Sequence, residues 1–150
     1  MALAQRIQDD TKAALLSGDR FVVETLRGLK AAILNEEVAQ GKRDEGLGDD
    51  AIEKIIAKEV KKRNESAELY AQNDRAESAA DERKEAEILS VYLPQQLGED
   101  ELKQIITNKI AELGVGGPQA MGQVIGAVKA QVGNTADGAT VARLVKDALN

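Results

Sequence analysis

The chain has 150 residues, a formal net charge of −6, and neither cysteine nor histidine. A disulfide framework, thiolate metal sites and the commonest general base and metal ligand near neutral pH are therefore excluded. The length suits one ordinary domain or two small helical ones.

No apolar run approaches the roughly 20 residues that span a bilayer. The N-terminus has no basic region followed by a continuous apolar stretch, so the expectation is no signal peptide, no membrane partner and cytoplasmic residence. Phe21, Tyr70 and Tyr92 are the only aromatic residues, which disfavours an RNA-recognition fold that stacks bases on exposed rings. The charge is uneven. Residues 1–93 carry 20 acidic and 15 basic side chains, and residues 94–150 carry 6 and 5. A polyanion is repelled less by the second part, and DNA is not an expected partner.

Helix-forming residues dominate, and the apolar periodicity is helical throughout. The first helix is expected over about 2–16, with Leu3, Ile7, Ala14 and Leu15 on one side. Asp19 suits an N-cap for a second helix running to about Gln40, with Val22, Leu26, Leu29 and Ile33 as its stripe. A polar, glycine-bearing loop covers 41–48. Asp49 or Asp50 is expected to cap a third helix to about Ala71, with Ile52, Ile55, Ile56, Val60 and Ala67 inward. A fourth helix is expected over 75–92, with Ala86, Leu89 and Leu93 inward. Pro94 disfavours helical geometry in the residue before it, so 94–98 reads as a linker between subdomains 1–93 and 99–150.

A fifth helix is expected over 99–113, with Leu102, Ile105, Ile106, Ile110 and Leu113 apolar. Pro118 suits the first turn of a sixth, whose stripe is Met121, Val124, Ile125, Val128 and Val132. Asp137 caps a seventh with Val141, Leu144, Val145 and Ala148 inward. The fold class is all-α: a four-helix bundle followed by a smaller three-helix bundle.

Several constellations carry chemistry. Lys54, Lys58 and Lys61, with Lys62 at the flank, fall opposite the stripe of the third helix. They read either as a phosphate track or as a solvated face balanced by Glu53, Glu65 and Glu68. Glu59 and Arg63 sit on the apolar side, one turn apart in the favourable order. Glu82 and Glu85 share the inward side of the fourth helix, and Glu36 and Glu37 border the stripe of the second. The expectation is a half-buried ion network tying these three helices together through Arg63, whose planar fork binds carboxylates bidentately. A carboxylate metal site of the di-iron kind uses Glu-x-x-His pairs, so neither metal nor other cofactor is expected. Ser17, Ser66, Ser78 and Ser90 have no histidine to activate them, and the Lys62–Ser66 spacing is common on a lysine-rich helix. No catalytic residue is assigned.

In the second part, Gly122 and Gly126 make a smooth strip on the sixth helix. Mid-helix glycine costs about 1 kcal/mol relative to alanine. The strip therefore suggests close approach, by an RNA backbone or partner helix, or by a neighbouring helix of the chain. Gly116 and Gly117 precede a helix start whose free N–H groups suit a phosphate. With Lys129, Arg143 and Lys146 they form the candidate RNA-binding set, beside the further cations Lys103 and Lys109. Gly114-x-Gly116-Gly117 is not a phosphate loop, because no strand precedes it and no Gly-Lys-Ser/Thr follows.

The stretches Leu26–Val38, Glu59–Ser66, Glu85–Leu97, Met121–Gly126 and Ala136–Gly138, with Val141, Val145 and Lys146, together resemble the GatB/YqeY family across essentially the whole chain. The resemblance implies a four-helix bundle and a three-helix bundle. The chain is also similar to the C-terminal modules of the GatB component of aspartyl/glutamyl-tRNA amidotransferase, where the terminal module helps hold tRNA. The resemblance implies a non-catalytic accessory module that binds tRNA, or works beside a tRNA-processing or aminoacylation-linked protein. A family label of carbon–nitrogen ligase with glutamine as amido donor belongs to the larger enzyme, whose catalytic domain has no counterpart in these 150 residues. The alternative is a helical protein-interaction or structural module with no RNA role.

Overall fold

A computed structural model of the chain describes residues 2–150. It is all-helical, with seven α-helices and no strand among the described residues. Two compact units divide the chain, one up to Leu93 and one from Pro94 onward.

The first unit holds α1 (Ala2–Ser17), α2 (Arg20–Ala39), α3 (Asp49–Gln72) and α4 (Ala76–Ser90). Asp19 caps α2 by accepting the Val22 N–H at 3.3 Å. The short breaks between α1 and α2 and between α3 and α4 make each pair antiparallel. Leu3, Ile7, Leu26, Leu29, Ile33, Ile52, Ile56, Leu89 and Tyr92 build one core. Burying each large aliphatic side chain contributes about 1.5–3 kcal/mol. All of these except Tyr92, which lies beyond the end of α4, are residues that the helical stripes point inward.

Four expectations need correction here. Leu15 is 60% exposed. The α1 stripe steps Leu3, Ile7, Asp10, Ala14, and Leu15 falls about 100° off it. Neither Asp49 nor Asp50 caps α3, because both lie inside its first turn and Gly48 is the cap residue, without a side-chain bond. Asp49 instead accepts the backbone N–H of Leu3, 3.1 Å away on α1. The fourth helix starts at Ala76 and ends at Ser90, inside the expected 75–92. The N–H groups of Tyr92 and Leu93 turn back to Leu89 and Ser90 at 3.2 and 3.1 Å, so the chain tightens before Pro94. Leu47, in the loop expected to be polar, is only 2% exposed and joins the core.

The second unit holds α5 (Glu99–Leu113), α6 (Met121–Val132) and α7 (Gly138–Leu149). Its core is Leu102, Ile106, Ala120, Val124, Val128, Val132, Val141, Leu144 and Val145. Gly114 ends α5 with φ 65°, a left-handed cap that glycine adopts without steric cost. Asp137 caps α7 by accepting the Thr140 N–H at 3.1 Å. Ala148 is exposed, and Leu149 packs on the core in its place. Residues expected as a linker are fastened within this unit. The Leu97 N–H donates to Thr135 O at 2.8 Å, and Leu97 packs against the core. Gln96 Nε2 donates to Asn134 O at 3.0 Å.

Candidate nucleic-acid interface

In the first unit, Arg63 is the centre of the charged network. Its side chain is 16% exposed. One terminal nitrogen donates to Glu59 Oε2 at 2.7 Å and to the Glu59 carbonyl at 3.2 Å. Its Nε donates to Glu85 Oε2 of α4 at 3.2 Å. Glu82 makes no direct bond to Arg63. Burial, and then the charge of Glu85, push the Glu82 carboxyl above the ordinary value, against the pull of Arg63.

The α2 side of the network differs from expectation. Neither Glu36 nor Glu37 pairs with Arg63, and Glu36 accepts from Gln40 Nε2 within its own helix at 2.6 Å. What α2 offers is Gly28, where an added Cβ would stand 3.7 Å from the Arg63 guanidinium. An added Cβ there would be in ordinary van der Waals contact with the fork, so α2 meets Arg63 at Gly28 without a charged partner, which no carboxylate spacing could have revealed.

The same unit contains a contact that the sequence did not disclose. Tyr92 is 5% exposed, and its hydroxyl donates to Asp10 Oδ2 at 2.6 Å. Arg6 lies over the Tyr92 ring at 4.8 Å and approaches Asp10 at 4.0 Å. Burial first, and then the Asp10 bond, push the phenol far above its ordinary range. The signal was Asp10 standing in the inward stripe of α1.

Lys62, the suggested partner of Ser66, has its ammonium 4.0 Å from Glu59 Oε1. Ser17 and Ser90 donate to backbone carbonyls of their own helices. Among the described residues, no group of three or more His, Cys, Asp or Glu side chains could hold a metal ion. No helix among them is long and apolar enough to cross a membrane. Lys54, Lys58, Lys61 and Lys62 lie along α3, with Lys54 paired to Asp50 at 3.2 Å.

In the second unit the candidate residues fall into separate groups. Gly122, Gly126 and Lys129 lie at successive turns on one side of α6. A Cβ on Gly122 or Gly126 would meet nothing within 4 Å. Close packing by α5 or α7 therefore does not explain these glycines. The Lys129 side chain runs to the start of α7, its Nζ 3.4 Å from where a Cβ on Gly138 would stand. Arg143 turns the other way and donates to Glu99 at the start of α5. Lys146 is exposed one turn further along α7, and Lys109 pairs with Glu112 at 3.1 Å.

Gly116 and Gly117 do not open onto an α-helix. Pro118–Ala120 form a single 3₁₀ turn before α6, and the Gln119 side chain folds to within 2.7 Å of where a Gly117 Cβ would be. A three-residue turn carries little of the aligned dipole that a longer helix offers an anion, so these glycines lose their place as a phosphate cup.

The fold defines an all-helical module of two compact units. The model of the YqeY-like protein family matches residues 4–149, and the chain belongs to that family. It is 32% identical over 110 residues to "Altered inheritance of mitochondria protein 41, mitochondrial" of Lachancea thermotolerans, covering 71% of this chain and 57% of that protein. The Clavispora lusitaniae protein of the same name is 28% identical over 114 residues, covering 75% and 65%. The match thus spans less than two thirds of either relative.

Proposed function

We propose that the protein is a non-catalytic, RNA-holding accessory module that binds tRNA through its second unit. It would act alone or beside a tRNA-processing or aminoacylation-linked protein, in support of tRNA-dependent amidotransfer. The observation that carries this reading is the open glycine strip of α6, ending in Lys129, on the unit that holds one net negative charge against five for the rest of the chain. A phosphate backbone can approach such a strip closely, and cations along it release counterions. The family resemblance to a tRNA-holding module points the same way.

Filter binding of purified protein to bulk tRNA at low salt tests the reading. Retention should fall with added salt and with Arg143→Glu or Lys146→Glu. No retention at low salt would overturn it.

A protein-interaction role is the second reading. It is favoured by the ion pairs that already engage Arg143 and Lys109. Pull-down from nuclease-treated lysate separates the two, because only an RNA-bridged complex is lost. In the tRNA-holding reading the protein resides in the cytoplasm. The fungal relatives carry "mitochondrial" in their names, so cell fractionation followed by immunoblotting is the deciding measurement.

A further inference from the structure

We propose that Arg143 of α7 and Lys103 of α5 form a subsite for one backbone phosphate of RNA, and that Glu99 holds it closed with its own carboxylate. This deepens the tRNA-holding reading and rests on it.

The contact is a long-range one. Arg143 and Glu99 stand 44 positions apart and join the start of α5 to the middle of α7. Their side chains are 56% and 50% exposed. An exposed ion pair of this kind contributes only about 0–1 kcal/mol to folding. The two helices are already joined through Leu102, Ile106, Leu144 and Val145, so the pair is dispensable to the bundle. A carboxylate and a phosphate present the same acceptor geometry to a guanidinium. Exchange of one for the other needs only side-chain rotation.

Lys103 supplies the second cation, one turn beyond Glu99 on α5. The Arg143 bond, then its charge, and further off the charge of Lys103, hold the Glu99 carboxyl below its ordinary value. The carboxylate thus sits where two cations favour an anion. Lys103 also lines a groove of about 250 Å³ between α5 and α7, floored by Ile106 and Leu144 and bordered by Asp147. Asp147, with Asp100 and Glu101 near Glu99, opposes an incoming phosphate, so the subsite is weak while Glu99 is charged.

The test compares bulk tRNA binding by the full chain, Glu99→Gln, Arg143→Gln and the double variant, at several salt concentrations. Glu99→Gln should bind several-fold more tightly. Its plot of log affinity against log salt should steepen by roughly 0.7–0.9, the increment for one more phosphate contact. Arg143→Gln should abolish that gain in the double variant, and Lys103→Gln should reduce it. Thermal melts would verify that each variant folds. Unchanged binding by Glu99→Gln overturns the subsite. So does an equal gain in the Arg143→Gln background, which would mark a general charge effect. Retention by the unaltered chain with no response to Glu99→Gln overturns the subsite alone. Failure of every variant to retain tRNA overturns the tRNA reading with it.

Discussion

Arg63 of α3 bonds Glu59 in its own helix and Glu85 of α4 at once, at 2.7 and 3.2 Å, with its guanidinium against the bare backbone of Gly28. The pair is neither fully buried nor free in solvent, and its energy falls between the two limits. Arg63→Met should lower stability by about 1–3 kcal/mol, chiefly by leaving two half-buried carboxylates without their partner. Chemical denaturation checks the loss. A double-mutant cycle with Glu85→Gln should recover a coupling energy of the same sign.

Glu82 stands beside this network as a surplus negative charge. Its carboxyl is raised by burial and by Glu85. A carboxyl raised in the folded state favours folding while it is protonated, and that contribution is lost as pH rises through the folded pKa. At neutral pH the charged form is the costly one, so Glu82→Gln should raise the melting temperature. The gain should shrink as pH falls and vanish below the ordinary glutamate value of 4.5. Calorimetric melts across that range read the difference directly.

Tyr92→Phe removes a hydroxyl that donates to the ionised partner Asp10 at 2.6 Å. Loss of a bond to a charged acceptor should cost about 1.5–3 kcal/mol, measured by urea unfolding. Asp10→Asn in the Tyr92→Phe background should add less than it does alone. Because the phenol is pushed up in the folded state, its contribution is present below the pKa of the unfolded tyrosine and lost as pH rises through the folded one. A spectrophotometric titration of the Tyr70→Phe variant should show tyrosinate only as the protein unfolds.

Gly122→Ala and Gly126→Ala separate packing from recognition. Nothing lies within 4 Å of either added Cβ, so each substitution should stabilise α6 by about 0.5–1 kcal/mol. If the strip meets RNA or a partner, a bulkier Gly126→Leu should weaken that binding while the melting temperature holds or rises.

Leu47 anchors the α2–α3 loop at 2% exposure. Leu47→Ala should cost about 2–5 kcal/mol, the range for emptying a packed aliphatic site. A surface loop residue would cost within about 0.5 kcal/mol, so denaturant midpoints distinguish the two outcomes.

The helices and their inward faces were legible along the chain. The step from Leu26 to Leu29 to Ile33, the cap at Asp19 and the break at Gly114 are local properties, and helical periodicity turns them directly into a buried side and an exposed one. That reach ends within one helix. Which side chain of α2 meets Arg63, why Leu47 is buried, and that Glu99 finds Arg143 depend on how separate helices cross and at what height. Side-chain spacing within a segment carries no information about its neighbour's axial position. Glu36 and Glu37 had suitable chemistry in the wrong turn, whereas Gly28 had no chemistry and the right one. The order of helices thus belonged to the sequence, while the partners of its charges were decided only when the bundles packed.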